Sequence, residues 1–493
     1  MRKVRPGLPT IGSTRGEEGV DMRRKVILLE INEITWRLID PLIDAGKLPN
    51  FKFLKENGSW AAPMSVDLPP QLDPWITWTT VYTGRPQSEH GVFHLQQPPD
   101  SIKAPRIWDI CHEAGLKAGV YGSLCSYPPK DTGAFYIPDT FSPGFETFPM
   151  ELSPIQKLNL TYTRSARLPA DSDGIKAKAR LGMELVTLGL GAATVGKLLG
   201  QLGGERLRPE TRWKRVALQP AVNFDVFSRL YKKHRPDLAT FHTNHVAHYQ
   251  HTYWKQMEPE RFPQETSNED LEKYGRAIEH GYMTADELIG KTLRLCDEDT
   301  VLVVASSMGQ QPYISDLTEG KKIGQLRSLE VLADLIGTRD DTEFLSVMSD
   351  QFNIYCKDED EKRRIKIELA DIYVDRPDNK MFHVDELDGF LTVTLNHRDD
   401  ISDGSVCHFP SDGAEERQAR YDELVYRTGM IKSGCHHPEG MLLIYGKGIP
   451  QGFVEKTDNL DIAPTILELL GVAVPAEMTG RPLISKLAAS ASA

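Results

Sequence analysis

VILLEI, residues 26–31, is the stretch on which the fold turns. It is short, rich in Val, Ile and Leu, and shows no alternation of polar and apolar residues. A strand covered on both faces looks like this, and such strands belong to parallel sheets. Three further runs share the pattern: DLATFH (237–242), TVLVVAS (300–306) and MLLIYG (441–446). All four are expected as buried parallel strands. Helical text lies between them. NFDVFSRLYKKH (223–234) puts Phe224, Phe227 and Tyr231 on one face just before the second run. EKYGRAIEHGYMTADELIGKTLRLC (272–296) precedes the third. Strand alternating with helix predicts an α/β fold with a mainly parallel central sheet and helices on both faces.

Composition bounds the rest. The chain has 493 residues, 40% hydrophobic and 26% charged, enough for one large core carrying insertions. Core text occupies 22–149, 223–320 and 431–493; 150–222 reads as a helical cap insertion and 321–430 as a smaller α+β insertion. Residues 1–21 contain basic residues but no apolar stretch and are expected as a disordered tail or a misplaced start rather than a signal peptide. The net charge of −12 and pI near 5.7 argue against a nucleic acid polymer as partner, but leave a small phosphate-containing molecule open. Six cysteines without a CxxC pair read as free thiols in a reducing, cytoplasmic compartment. LVTLGLGAATVG (185–196) is too short and too Gly-rich to span a bilayer, so no stable membrane insertion is expected. It lies under a cap or touches a membrane surface. A homo-oligomer is compatible with this composition.

Ligands of open α/β sheets bind beyond the carboxyl ends of the strands. Glu30, Asn32 and Glu33 end or follow the first run; Asn244, His245, His248 and His251 follow the second. Ser306, Ser307, Met308 and Gln310 close the third, and His436, His437 and Glu439 precede the fourth. Polar side chains from four separated segments therefore converge on one edge. The three histidines 245, 248 and 251 recur every three residues, so adjacent members share a helix face. They form a metal or proton-transfer site, or simply a polar helix start.

At these residues a family resemblance becomes specific. INEITWRLIDPLIDAGKLPNFKFLKENG (31–58) resembles the opening of type I phosphodiesterases/nucleotide pyrophosphatases of the alkaline phosphatase superfamily. PPQLDPWITWTTVYTGRPQSEHGVF (69–93) is similar to their nucleophile region, closing on Thr83, Gly84, Pro86, His90 and Gly91. NHVAHYQHTYW (244–254) resembles a metal segment, and HHPEGMLLIYGKGI (436–449) the closing His-containing strand. The resemblance implies two divalent cations on Asp and His ligands and a Thr or Ser nucleophile. Carried over, one cation would meet Asn244, His248 and His436, and the other Asn32, Ser307 and Met308. Amide, hydroxyl and thioether are poor zinc ligands, so at most one divalent metal, zinc or manganese, is expected, or none. The nucleophile position falls on Pro74. Asp73 beside it is a carboxylate nucleophile or ligand, or the cap of a helix opened by Pro74.

Two readings follow. The first is a phosphodiesterase-like hydrolase or transferase acting on a phosphate-containing small molecule or glycan precursor. Asp73, Thr77, Glu33 and His245 are its candidate catalytic groups. Asn32, Asn244, Ser306, Ser307, Gln310 and His437 are candidate substrate contacts, and His248, His436 and Asn244 candidate metal ligands. The second is an inactive relative that binds a ligand or acts as a scaffold. GAATVGKL (191–198) lacks the Ser or Thr of a phosphate-binding loop, and Cys125 lacks the flanking residues of a sulfatase nucleophile.

Overall fold

The computed structural model describes residues 24–69, 71–93, 97, 101–165, 175–263, 265–314, 324–338, 341–346, 351–387, 390–396, 401–402, 404–410, 417–427 and 433–484. The tail expected over 1–21 lies outside them.

Eight strands form the central sheet: β1 (Lys25–Ile31), β2 (Ser59–Ala61), β3 (Ala118–Tyr121), β4 (Gly133–Ile137), β5 (Leu238–Thr243), β6 (Thr300–Ser306), β7 (Met441–Tyr445) and β8 (Gly452–Phe453). Their order across the sheet is β8-β2-β7-β6-β1-β5-β3-β4. β1 lies at the centre, parallel to β5 and β6, with Glu30 opposite His242 and Ala305. The missing alternation in VILLEI now has its cause. Ile27, Leu29 and Ile31 enter one apolar core with Phe224, Phe227, Tyr231 and Tyr282. Val26 and Leu28 enter the other with Trp78, Tyr82 and Ile466. The helices α1 (Pro74–Thr83), α2 (Leu218–His234), α3 (His245–Met257), α4 (Ala277–Leu293) and α5 (Ile462–Leu469) supply these layers.

One expectation is corrected. MLLIYG forms β7, but it runs antiparallel to β6 and β2. Burial on both faces gives the same text in either direction. The reversal positions the site: Met441 pairs with Ser306, so the residues just before β7 arrive at the carboxyl edge of the parallel strands. A short ribbon, Gly309–Pro312 with Gly434–His437, extends that edge and sets His436 opposite Gln310.

Between β4 and α2 lie the helices Ser153–Ser165, Ile175–Leu188 and Ala192–Leu207 and the 3-10 turn Pro209–Ala217. The run GAATVGKL falls in the third of these. Between 324 and 427 small antiparallel sheets and the helix Glu359–Asp371 surround an apolar cluster of their own.

Candidate functional site

Glu33 stands two residues past the end of β1, with φ of 61° in the left-handed region. A residue with a Cβ pays roughly 1–2 kcal/mol there. Hydrogen bonds hold it: Gln250 Nε2 donates to the Glu33 carbonyl at 2.7 Å, and Tyr282 donates to Gln250 Oε1 at 2.7 Å. The turn drives the carboxylate into the protein, where it is fully buried. Asn32 Nδ2 donates to its Oε1 at 2.9 Å, and Gln310 Nε2 donates to Oε2. His251 Nε2 lies 3.0 Å from Oε2, and His436 Nε2 3.7 Å from Oε1. Burial opposes ionisation, but the charges of His251 and His436 and the hydrogen bonds from His251 and Gln310 outweigh it. They bring the carboxyl down to about 2.

Both histidines are held from behind. His251 Nδ1 sits 2.9 Å from the Gly434 carbonyl, and His436 Nδ1 sits 2.7 Å from that of Leu72. A carbonyl only accepts, so each Nδ1 carries the hydrogen and each Nε2 faces the carboxylate. This backing by a backbone carbonyl is how metal-binding imidazoles are oriented. One ligand atom from each of Glu33, His251 and His436 lies within 4.8 Å of the others. Two imidazoles and one carboxylate suit a single divalent transition metal with open positions.

The other candidates fall around or beneath this cluster. Asn32 is almost fully buried; its Oδ1 accepts from Trp78 Nε1 at 2.7 Å, and its Nδ2 also donates to Asn244 Oδ1 at 2.7 Å. Asn244 is exposed at the start of α3. Thr77 and Ser307 share a 2.8 Å hydrogen bond, and both are fully buried, as is Met308. The donor set Asn32, Ser307 and Met308 offers no anionic oxygen or imidazole and does not fit a second cation. Ser306 Oγ donates to the Met308 carbonyl at 2.7 Å. Asp73 caps α1, accepting from Trp75 N at 2.8 Å with Pro74 in the first turn. His245 turns inward: its Nε2 donates to the Gly281 carbonyl at 3.1 Å, and burial pushes it down to about 3. His248 is pushed down to about 4 by burial, then by the charge of His251, and its ring lies beside that of Tyr249. His437 Nδ1 accepts from Glu439 N at 3.2 Å. Trp78, Gln250 and the two backbone carbonyls carry no signal in the sequence.

Beside the cluster, Glu30 is buried in a separate network. Tyr82 donates to it at 2.7 Å and Ser123 at 3.0 Å, and His242 Nδ1 lies 3.1 Å away.

A mainly parallel sheet with a carboxylate–imidazole cluster beyond its carboxyl edge marks an α/β protein with a ligand site at that edge, and its family match places it in the alkaline phosphatase superfamily. Residues 26–403 match the family model of type I phosphodiesterase / nucleotide pyrophosphatase, and the chain belongs to that family. His436 lies beyond the matched stretch. Among solved structures, the chain is similar to phosphonoacetate hydrolase from Sinorhizobium meliloti 1021 in complex with phosphonoacetate. The identity is 16%, over 92% of this chain and 96% of that one, with a TM-score of 0.39. Murine ectonucleotide pyrophosphatase / phosphodiesterase 5 is 10% identical over 92% of this chain and 96% of its own, with a TM-score of 0.43. No curated protein matches the sequence.

Proposed function

We propose that this protein is a phosphoryl-transfer hydrolase for a small phosphate-containing molecule, built on one divalent cation in place of the family's two. The observation that carries the reading is the Glu33, His251 and His436 cluster, with three ligand atoms within 4.8 Å of one another in a chain of this family. When bound, a zinc or manganese ion supplies Lewis-acid polarisation of a phosphoryl oxygen. The chain's own groups do the positioning. Asn32 and Gln310 fix the Glu33 carboxylate, while the carbonyls of Gly434 and Leu72 fix the imidazoles. Asn244 has its carbonyl committed to Asn32 and offers its amide N–H groups to substrate oxygens. The thiols are free, which supports a reducing, cytoplasmic compartment.

A second reading, a ligand-binding protein without turnover, draws on Thr77 and Asp73. The Thr77 hydroxyl is buried against Ser307, and the Asp73 carboxylate is spent on a helix cap. Metal analysis of purified protein and turnover of a chromogenic phosphodiester separate the two. The hydrolase reading expects one zinc or manganese per chain, lost in His251→Ala and Glu33→Gln. Turnover should fall at least about 100-fold in each, since even outer partners of metal ligands cost 10–100-fold. Bound metal with no turnover on any phosphoric ester favours the second reading; a metal-free protein in zinc and manganese removes the first.

A further inference from the structure

A cleft of about 250 Å³ opens where the cap meets α4, and it shares no residue with the Glu33 cluster. Its walls carry Lys197 and Lys214 from the cap and Lys291 and His280 from α4. Glu287 is its one carboxylate, already 2.8 Å from Lys197 Nζ. Among the described residues no carboxylate lies within ion-pair distance of Lys214 or Lys291, and both are half-buried. Lys291 feels Asp225 and Glu287 only beyond ion-pair distance, so an anion entering the cleft meets partly desolvated cations that no adjacent carboxylate neutralises. The groups also feel one another. Burial lowers Lys291, Asp225 and Glu287 partly restore it, and Lys197 lowers it further; burial and then Lys214 lower His280, and Glu287 partly restores it. Gln201 and Thr284 add neutral hydrogen-bonding groups, and Leu218 and Leu288 an apolar surface.

The same face of α4 explains why the cleft is not merely a solvated surface. His280, Thr284, Glu287 and Lys291 recur at helical spacing along it. The opposite face of α4 is core, with Tyr282 and Ile289 fully buried. The lysines therefore line a concave junction between two parts of the molecule, where chloride and water compensate charge less well than on open surface.

We infer that this cleft is a second ligand site that takes a small phosphate compound bearing two or more negative charges. Lysine ammoniums bind phosphate as point charges and carry the recognition here, since the Gln201 amide hydrogens go to Glu205 and the Thr211 carbonyl and the Thr284 hydroxyl goes to the His280 carbonyl. The apolar floor accepts a short organic portion. The chain's overall charge of −12 works against long polyanions and favours a compact one. Because cap and core both contribute, the bound anion would tie them together.

The test is calorimetric titration of the full chain with inorganic pyrophosphate, using wild type, His251→Ala and Lys214→Met/Lys291→Met. Binding should persist in His251→Ala and weaken at least about tenfold in the lysine variant, which loses two charge-assisted contacts. It should also weaken with added salt. If the double variant does not fold, as judged by circular dichroism, the two single variants are read in its place. Binding that disappears in His251→Ala would show pyrophosphate only at the Glu33 cluster and overturn the inference. Binding indifferent to both lysines, or none at millimolar pyrophosphate, overturns it equally.

Discussion

Asn32 and Glu33 are neighbours in sequence, and a 2.9 Å hydrogen bond joins their side chains at the site. An amide stands at Asn32 and a carboxylate one residue on. A left-handed turn brings that carboxylate into the pocket. Asn32→Asp would put a second carboxylate against Glu33 at the 2.9 Å separation now bridged by the amide hydrogen. Like charges that close in a buried site repel strongly. The thermal midpoint should drop in chelator and recover with zinc or manganese, more than wild type does; equal melting of the two proteins would contradict this. His90 carries a second prediction at this scale. Its Nδ1 accepts from Val92 N at 3.1 Å, its Nε2 meets Thr80 Oγ1 at 3.1 Å, and burial pushes it down to about 3. Its folded value lies below the unfolded one near 6.5, so protonation favours the unfolded chain. Its contribution to stability is intact above about 6.5 and erodes as pH falls towards 3, by up to about 1.4 kcal/mol per pH unit for one proton. Urea unfolding at pH 7 and pH 5 should show a smaller acid loss in His90→Gln than in wild type. Some slope will remain, because His245 is depressed in the same direction. The motifs pointed to Asn32, Ser307 and Met308 as positions of the site, and Asn32 does lie against Glu33. They assigned His248 to the metal, whereas the imidazole placed against Glu33 is that of His251. A three-residue spacing puts both near one face, and the packing of α3 sets its rotation.

At the scale of the element, α1 decides what Asp73 does. Extended backbone at Asp73, Pro74 in the first turn and the hydrogen bond to Trp75 N are the marks of an N-cap. Asp73→Asn should therefore leave stability and turnover close to wild type. Asp73→Ala should cost about 1 kcal/mol in stability, with turnover unchanged in the folded protein. A nucleophilic Asp73 would instead lose turnover in both variants, so phosphodiester assays beside denaturant unfolding distinguish the roles. β7 makes the complementary point about legibility. Its apolar run announced a buried strand, yet nothing in VILLEI or MLLIYG encodes direction. Direction comes from connectivity: after the 324–427 insertion the chain returns through the ribbon Gly434–His437 at the carboxyl edge, so β7 must run back across the sheet.

Across the whole molecule, apolar burial is divided. Two clusters share the central sheet, one on each face, and every buried strand residue of β1 belongs to one of them except Glu30. A third cluster is built only from residues between Leu326 and Val425, with Ile354, Ile365 and Leu391 fully buried inside it. The stretch between 324 and 427 was legible as a break in the strand–helix rhythm. Its internal pairing was not, because short two-sided hairpins leave little periodicity to read. Apolar packing divided in this way favours a separate cooperative unit between 324 and 427. Calorimetric unfolding should thus resolve into at least two transitions. Ile354→Ala removes a buried side chain from the small cluster and should cost about 2–5 kcal/mol there, lowering one transition and sparing the other. Leu302→Ala, in β6 of the central sheet, should do the reverse. If both substitutions shift a single transition together, the insertion folds as part of the main core despite its independent packing.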